Sequence, residues 1–208
     1  RELTRAIDGG VEVIEAFVDP GRLEATGPGL LDRLRRGPGE VLEAGSAIFA
    51  RLAYGDRSEG VVAVVRVPDT SLDRLHPGPD PLIVIVEGVE KPGNLGAILR
   101  SSDAAGADAV IVADPVTDVF NPNAIRASLG TMFTVPVASA GAGAVRAWLA
   151  EAGIRVLAAR VDGDDVFDGV DLRGPLALAL GSEAGGLSDA WRDPAVVAVR
   201  LPMYGAAD

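Results

Sequence analysis

The chain alternates between short unbroken apolar runs and stretches where apolar positions recur every three or four residues. Ile83 to Val86 is one of the unbroken runs, β-branched throughout, and predicts a strand buried on both faces. Lys91-Pro92-Gly93 follows as a turn that a helix is not expected to cross. Asn94 then reads as an N-cap, with Leu95, Ile98 and Leu99 starting a helical apolar stripe that runs to Ala105. The same rhythm predicts further strands over Ala109–Ala113, Thr131–Val135, Arg155–Ala159, Leu176–Leu180 and Ala195–Leu201. Helices are expected from Asn121-Pro122-Asn123 through Arg126 and from Gly143 to Ala152. Strands separated by helices imply an α/β fold with a mostly parallel sheet and helices on both faces. Asn94 and Arg100 then sit on the first two turns of a helix leaving the carboxyl end of a strand, where ligands bind in open α/β sheets. An ordinary βα turn would explain the apolar pattern of this stretch, but not its polar choices.

Residues 1–67 carry a shorter alternation and predict a small α/β unit. A helix end at Leu3, Ala6 and Ile7 is closed by Gly9-Gly10, a strand runs toward Val18, and Leu30 to Arg36 is an amphipathic helix stopped by Gly37-Pro38-Gly39. Glu40–Glu43 reads as a short strand, Ser46 as the cap of a helix carrying Ile48, Phe49 and Leu52, and Gly60–Val65 as a buried strand. Arg33, Arg35, Arg36, Arg51 and Arg57 all fall in this unit. They are either the best local basic cluster of the chain or a solvated helix face. Residues 68–81, with Pro68, Pro77, Pro79, Pro81 and Gly78, read as a stiff, extended linker before a second domain at 82–208.

Composition narrows the chemistry. With 208 residues, 48% of them hydrophobic and 24% charged, the chain is globular. The absence of cysteine removes disulfides, thiolate metal sites and Cys nucleophiles. The one histidine, His76, lies in the Pro-rich stretch, which argues against Ser-His-Asp chemistry and His-based metal sites, so no metal is expected. No apolar run approaches the roughly 20 residues of a membrane span and no signal peptide is visible, so a cytoplasmic protein is expected. The sequence begins without Met, at Arg1, so a natural start upstream is expected and a removed targeting segment stays open. A net charge of −11 argues against binding nucleic acid through a broadly basic surface, though not against a local basic patch. There is no Gly-x-Gly-x-x-Gly after the first strand of the second domain and no Walker-type Gly-Lys-Ser/Thr loop, which disfavours a dinucleotide or nucleotide enzyme.

Three ordered segments carry a more specific signal. They are Glu87 to Arg100 (Glu-Gly-Val-Glu-Lys-Pro-Gly-Asn-Leu-Gly-Ala-Ile-Leu-Arg), Leu180 to Ser188 (Leu-Gly-Ser-Glu-Ala-Gly-Gly-Leu-Ser) and Val199 to Gly205 (Val-Arg-Leu-Pro-Met-Tyr-Gly). The set resembles the signature motifs of the SpoU/TrmH family of RNA ribose 2′-O-methyltransferases in the SPOUT superfamily. The resemblance implies a trefoil-knot domain, S-adenosyl-L-methionine as cofactor, an RNA substrate and a homodimer with the active site near the subunit interface. It also implies that the N-terminal unit is a substrate-binding domain akin to a ribosomal-protein-like RNA-binding module, as in rRNA-modifying and antibiotic-resistance members. In that family the third motif continues into a Ser- and Asn-containing segment that begins the final knot helix. This sequence ends at Ala206-Ala207-Asp208, before that segment, so a chain lacking it is expected to bind cofactor poorly and to show little activity.

The resemblance assigns Arg100 and Asn94 to catalysis, with Glu183 as the acidic residue of the second motif. Ser182 stands where the family often has Asn, a departure from the pattern. Free arginine stays protonated, so Arg100 suits phosphate anchoring and support of a forming alkoxide better than a role as base. Cofactor contacts are expected from Ala158, Ala159, Leu180, Gly181, Leu201, Pro202 and Met203, small or apolar residues suited to close backbone approach and adenine packing. RNA contacts are expected from Arg126 together with Arg33, Arg35, Arg36 and Arg51. Large-subunit rRNA is the preferred substrate because of the extra N-terminal unit. A tRNA 2′-O-methyltransferase and a non-catalytic SPOUT-like RNA-binding protein remain the alternatives.

Overall fold

The computed structural model describes residues 1–22, 29–53 and 59–203. They fall into two compact units, one of Arg1–Pro68 with Leu129–Thr134, the other of Asp69–Ser128 with the chain from Val135 onward.

The first unit contains α1 (Glu2–Asp8), β1 (Val13–Val18), α2 (Leu30–Arg36), β2 (Glu40–Glu43), α3 (Ser46–Leu52) and β3 (Val61–Val65). Its sheet has the order β2-β1-β3, with β1 parallel to β2 and antiparallel to β3. Ala16 of β1 packs against Leu30 and Leu34 of α2, with Leu3 and Ile7 of α1 beside them. The strand β3, expected to be buried, is only partly so, with Val64 47% exposed.

The stretch Thr131–Val135 is not the strand its β-branched composition suggested. Thr131–Phe133 is a 3-10 helix that packs against α1, and the strand begins later, at Val137. The cause is local: Leu129 and Gly130 both have positive φ (56° and 86°), which turns the chain before a strand can start. The Arg5 guanidinium then donates to the Leu129 carbonyl at 3.0 Å.

The second unit is built on a seven-stranded sheet. Its elements are β4 (Leu82–Glu87), α4 (Pro92–Ala105), β5 (Ala109–Ala113), α5 (Pro122–Ala127), β6 (Val137–Ala140), α6 (Ala142–Glu151), β7 (Arg155–Ala159), β8 (Asp165–Val166), β9 (Leu176–Leu180) and β10 (Val196–Arg200). The order is β6-β5-β4-β9-β7-β10-β8, and every pairing is parallel. Ile83, Ile85 and Ile111 share a core with Val145 and Leu149 of α6, while the alternate Val86, Val110 and Val112 are buried on the opposite face. That two-sided burial is why these strands read as unbroken apolar runs.

The chain steps from β4 to β5 to β6 in one direction, then α6 carries it back past β4 to β7. Right-handed crossovers in opposite directions put their helices on opposite faces. The connections leaving β4 and β9, neighbours in the sheet, therefore lead away from each other. Such a reversal opens a crevice at the carboxyl ends of the two strands.

Residues 68–81, read as an extended linker, fold onto the second unit from Asp69. Leu72–Arg74 is a 3-10 helix, Leu75 is buried in the same core as Ile83, and Ser139 of β6 donates its N–H to the Thr70 carbonyl at 2.8 Å. His76 is exposed.

Candidate functional site

The reversal between β4 and β9 is occupied by a cleft of about 530 Å³. Residues 88–91, Asn94 and Ile98 form one side, and residues 181–184 the other.

The first side is the start of α4, whose cap lies three residues earlier than the sequence suggested. Pro92 is its first residue and Lys91 its cap. Proline has no N–H to lose there and its φ is already helical, so it opens the helix rather than barring it. Asn94 is consequently not the N-cap; it lies in the first turn, exposed, with no capping bond from its side chain. Leu95 and Leu99 are fully buried. Between them Gly96 touches α5 so closely that an added Cβ would stand 2.5 Å from Ala127 Cβ and 2.6 Å from the Ser128 nitrogen. This contact brings the Ala127 carbonyl to Arg100, whose Nη1 donates to it at 3.2 Å. Arg100 is exposed and is not among the residues lining the cleft.

The second side is the loop after β9. Ser182 and Gly186 exchange backbone hydrogen bonds of 3.1 and 3.0 Å, and Ser182 Oγ accepts from the Gly185 N–H at 3.0 Å. Gly181 runs against the Gly186 backbone so tightly that a Cβ would overlap its carbonyl carbon. The loop is fastened to β4 by Glu87, a residue that sequence reasoning did not single out as functional. Its carboxylate is 4% exposed and accepts from the Ser188 N–H (2.6 Å), the Ser188 hydroxyl (2.7 Å) and the Trp191 indole N–H (2.9 Å). Its signal was the acid that ends an otherwise apolar strand, since a buried carboxylate must be paired.

Across the mouth of the cleft, Lys91 Nζ donates to Glu183 Oε2 at 2.7 Å. That bond and the ammonium charge hold the Glu183 carboxyl below its usual range, and Glu183 in turn raises Lys91. Among the described residues no group of three or more His, Cys, Asp or Glu side chains is arranged to hold a metal ion.

Comparison with known proteins places this arrangement. The family model described as "SpoU rRNA Methylase family" matches residues 81–208, more than half of the chain. The chain belongs to the SpoU rRNA methylase family. It is 40% identical over 166 residues to a 23S rRNA (uridine(2479)-2′-O)-methyltransferase of Streptomyces viridochromogenes, covering 75% of this chain and 58% of that protein. It is 32% identical over 209 residues to a 23S rRNA (adenosine(1067)-2′-O)-methyltransferase of Streptomyces azureus, covering 99% of this chain and 77% of that relative. The crystal structure of the SpoU methyltransferase AviRb from Streptomyces viridochromogenes in complex with AdoMet is similar at a TM-score of 0.87 and 31% identity, covering 100% of this chain and 80% of that one.

Within this SpoU fold the expected residues separate into three places. Asn94, Gly181 and Glu183 meet at the cleft. Ala158 and Ala159 end β7, Leu180 ends β9, and Leu201, Pro202 and Met203 follow β10. These strand ends are neighbours in the order β9-β7-β10, so the small and apolar residues lie along one edge. Leu201 and Met203 are 57% and 70% exposed. Arg126 is exposed in the last turn of α5. In the first unit Arg33 pairs with Asp8 at 2.7 Å and Arg35 with Glu43 at 3.8 Å, while Arg36 and Arg51 are exposed. Arg57 and the Tyr204-Gly205 end of the third motif lie outside the described residues.

Proposed function

We propose that this chain transfers a methyl group from S-adenosylmethionine to a ribose 2′-hydroxyl of structured RNA, with large-subunit rRNA as substrate. The observation that carries this reading is the convergence of Asn94 and Glu183, from two motifs far apart in sequence, on one cleft at the sheet reversal of a SpoU fold. The relatives named as 23S rRNA 2′-O-methyltransferases support the choice of rRNA.

A ribose hydroxyl is hardly ionised at neutral pH, so the enzyme must align it for in-line attack and help remove one proton. S-adenosylmethionine supplies a methyl group that is already electrophilic on its sulfonium. In this reading Asn94, free of any capping duty, orients the ribose. Arg100, its guanidinium steadied by the Ala127 carbonyl, anchors the adjacent phosphate and supports the developing alkoxide. Glu183 lies where it can accept a hydrogen bond from the bound nucleotide. Ala159, Leu180, Gly181, Leu201, Pro202 and Met203 would hold the cofactor, mostly through backbone groups and apolar contact. The N-terminal unit would supply RNA affinity through Arg36 and Arg51, and Arg126 a further phosphate contact. A homodimer, which the family resemblance implies, and a cytoplasmic location complete the reading.

The test is methyl transfer from tritiated cofactor by the full-length protein to 23S rRNA and to tRNA. Label in rRNA is expected; label in tRNA alone would move the substrate, and label in neither would sink the proposal. Arg100→Ala should abolish transfer and leave calorimetric cofactor affinity nearly unchanged; lost affinity would mean that Arg100 serves the cofactor instead.

A further inference from the structure

Lysine is almost absent from this protein. Of 19 basic residues, 18 are arginine and one is Lys91, and that one stands at the mouth of the cleft. Among the cleft-lining residues it is the single cation, beside two carboxylates, Glu90 and Glu183. Without its charge the lips of the cleft would be purely anionic and would repel any strand that brought a phosphodiester to Asn94. The overall charge of −11 gives no compensating attraction from a distance.

We propose that Lys91 contacts a backbone phosphate of the RNA strand, and that Glu183 holds its ammonium across the cleft until the strand arrives. The proposal rests on the RNA-methyltransferase reading and adds to it a substrate-binding residue. The pairing is built for exchange. Both side chains are well exposed, 66% for Lys91 and 73% for Glu183, so the bond forms in water and is weakly held. An arginine would fork both carboxylate oxygens, whereas the ammonium engages Oε2 alone and is a compact donor readily passed to another oxyanion. Handing Lys91 from carboxylate to phosphate also releases Glu183 inside the cleft at the moment the substrate enters. Lys91 and Arg100 are separate anchor points. Nine residues of helix separate them by roughly 13 Å along the axis, at a rise of about 1.5 Å per residue. They hold the strand at two points on either side of the Asn94 turn.

The contact is tested by filter binding of a 23S rRNA transcript over a salt series, with S-adenosylmethionine affinity measured in parallel by calorimetry. Lys91→Ala is expected to weaken RNA binding about tenfold and to lower the slope of log affinity against log salt by about one, the signature of one lost phosphate contact. Cofactor affinity should stay within about twofold, and Lys91→Arg should restore most of the RNA affinity. Glu183→Gln should tighten RNA binding in the wild-type background, and that gain should shrink when Lys91 is alanine, because only the general repulsion by the carboxylate is then relieved. An unchanged salt slope in Lys91→Ala, or an equal Glu183→Gln gain with and without Lys91, overturns the proposal. A wild type that binds the transcript without methylating it overturns the proposed function and leaves the Lys91 contact to be judged by its slope. Methylation together with an unaltered Lys91→Ala slope overturns the contact alone. A wild type that does not bind the transcript overturns both.

Discussion

On one side of the cleft Leu95 and Leu99 are fully buried and Gly96 lies flat against α5; on the other, residues 183–186 are exposed and the loop closes on a few hydrogen bonds and one buried carboxylate. The first wall is held by packing, which is non-directional and spread over many atoms. The second is held by directional polar contacts, each of which is costly to leave unmade. The proposed roles, Asn94 presented in a fixed place and Glu183 changing partners, are well served by one wall of each kind.

Glu87→Ala should break the polar wall most severely. It leaves the Ser188 N–H and hydroxyl and the Trp191 indole N–H without their acceptor, at a cost of about 3 kcal/mol or more. Chemical denaturation would measure it, and a loss below about 1 kcal/mol would mean that the carboxylate is dispensable to the loop. Gly96→Ala attacks the packed wall. The new methyl has no room against Ala127 and Ser128, so the helices must part at about 1–3 kcal/mol, offset by up to about 1 kcal/mol of helix propensity. A stabilised variant would show that α4 and α5 can yield. Asn94→Ala sharpens the contrast from the other side. As an exposed, non-capping residue it should change stability by less than about 0.5 kcal/mol, while methyl transfer falls at least about tenfold. Equal transfer by the variant would remove Asn94 from the site.

The smallest effect lies in the loop after β7 and concerns pH. Hydrogen bonds from Arg160, then from Arg192, hold the Asp162 carboxyl at about 2, well below its ordinary 3.8. Because the folded value is the lower one, the stabilisation is complete above pH 3.8 and is lost as pH falls through about 2. Asp162→Asn should therefore be slightly less stable than wild type at neutral pH, with the gap closing between pH 4 and pH 2. Parallel acid unfolding curves in that window would show that the Arg160–Asp162 pair contributes nothing.

The walls also differ in how far they could be read from the sequence. Ile83–Val86 and Leu176–Leu180 announce themselves as doubly buried strands because apolar residues fill both faces. The cap of α4 lies three residues before the one the sequence suggests, since Asn carries the same local signal in a first turn as at a cap, and Pro92 reads equally as stop and start. Thr131–Val135 has strand composition, but backbone geometry at Leu129 and Gly130 overrules it. The order of strands, which creates the cleft, and the partners of Glu87, 101 and 104 residues away, depend on long-range packing that no local pattern records.

The place of β9 in the sheet has a consequence for how the protein comes into being. It pairs with β4 on one side and β7 on the other, Leu82 with Leu176 and Arg155 with Leu176, so the position beside β4 is filled by a strand made long after β4 itself. During synthesis β4, β5 and β6 can zip together through local crossovers while the inner edge of β4 stays open. Contacts spanning so much chain are slow to close, and until β9 arrives that edge is an unpaired, apolar template for other chains. The seam that carries the cleft is thus sewn late, and the protein's aggregation risk and its ability to bind should appear and disappear in opposite phase.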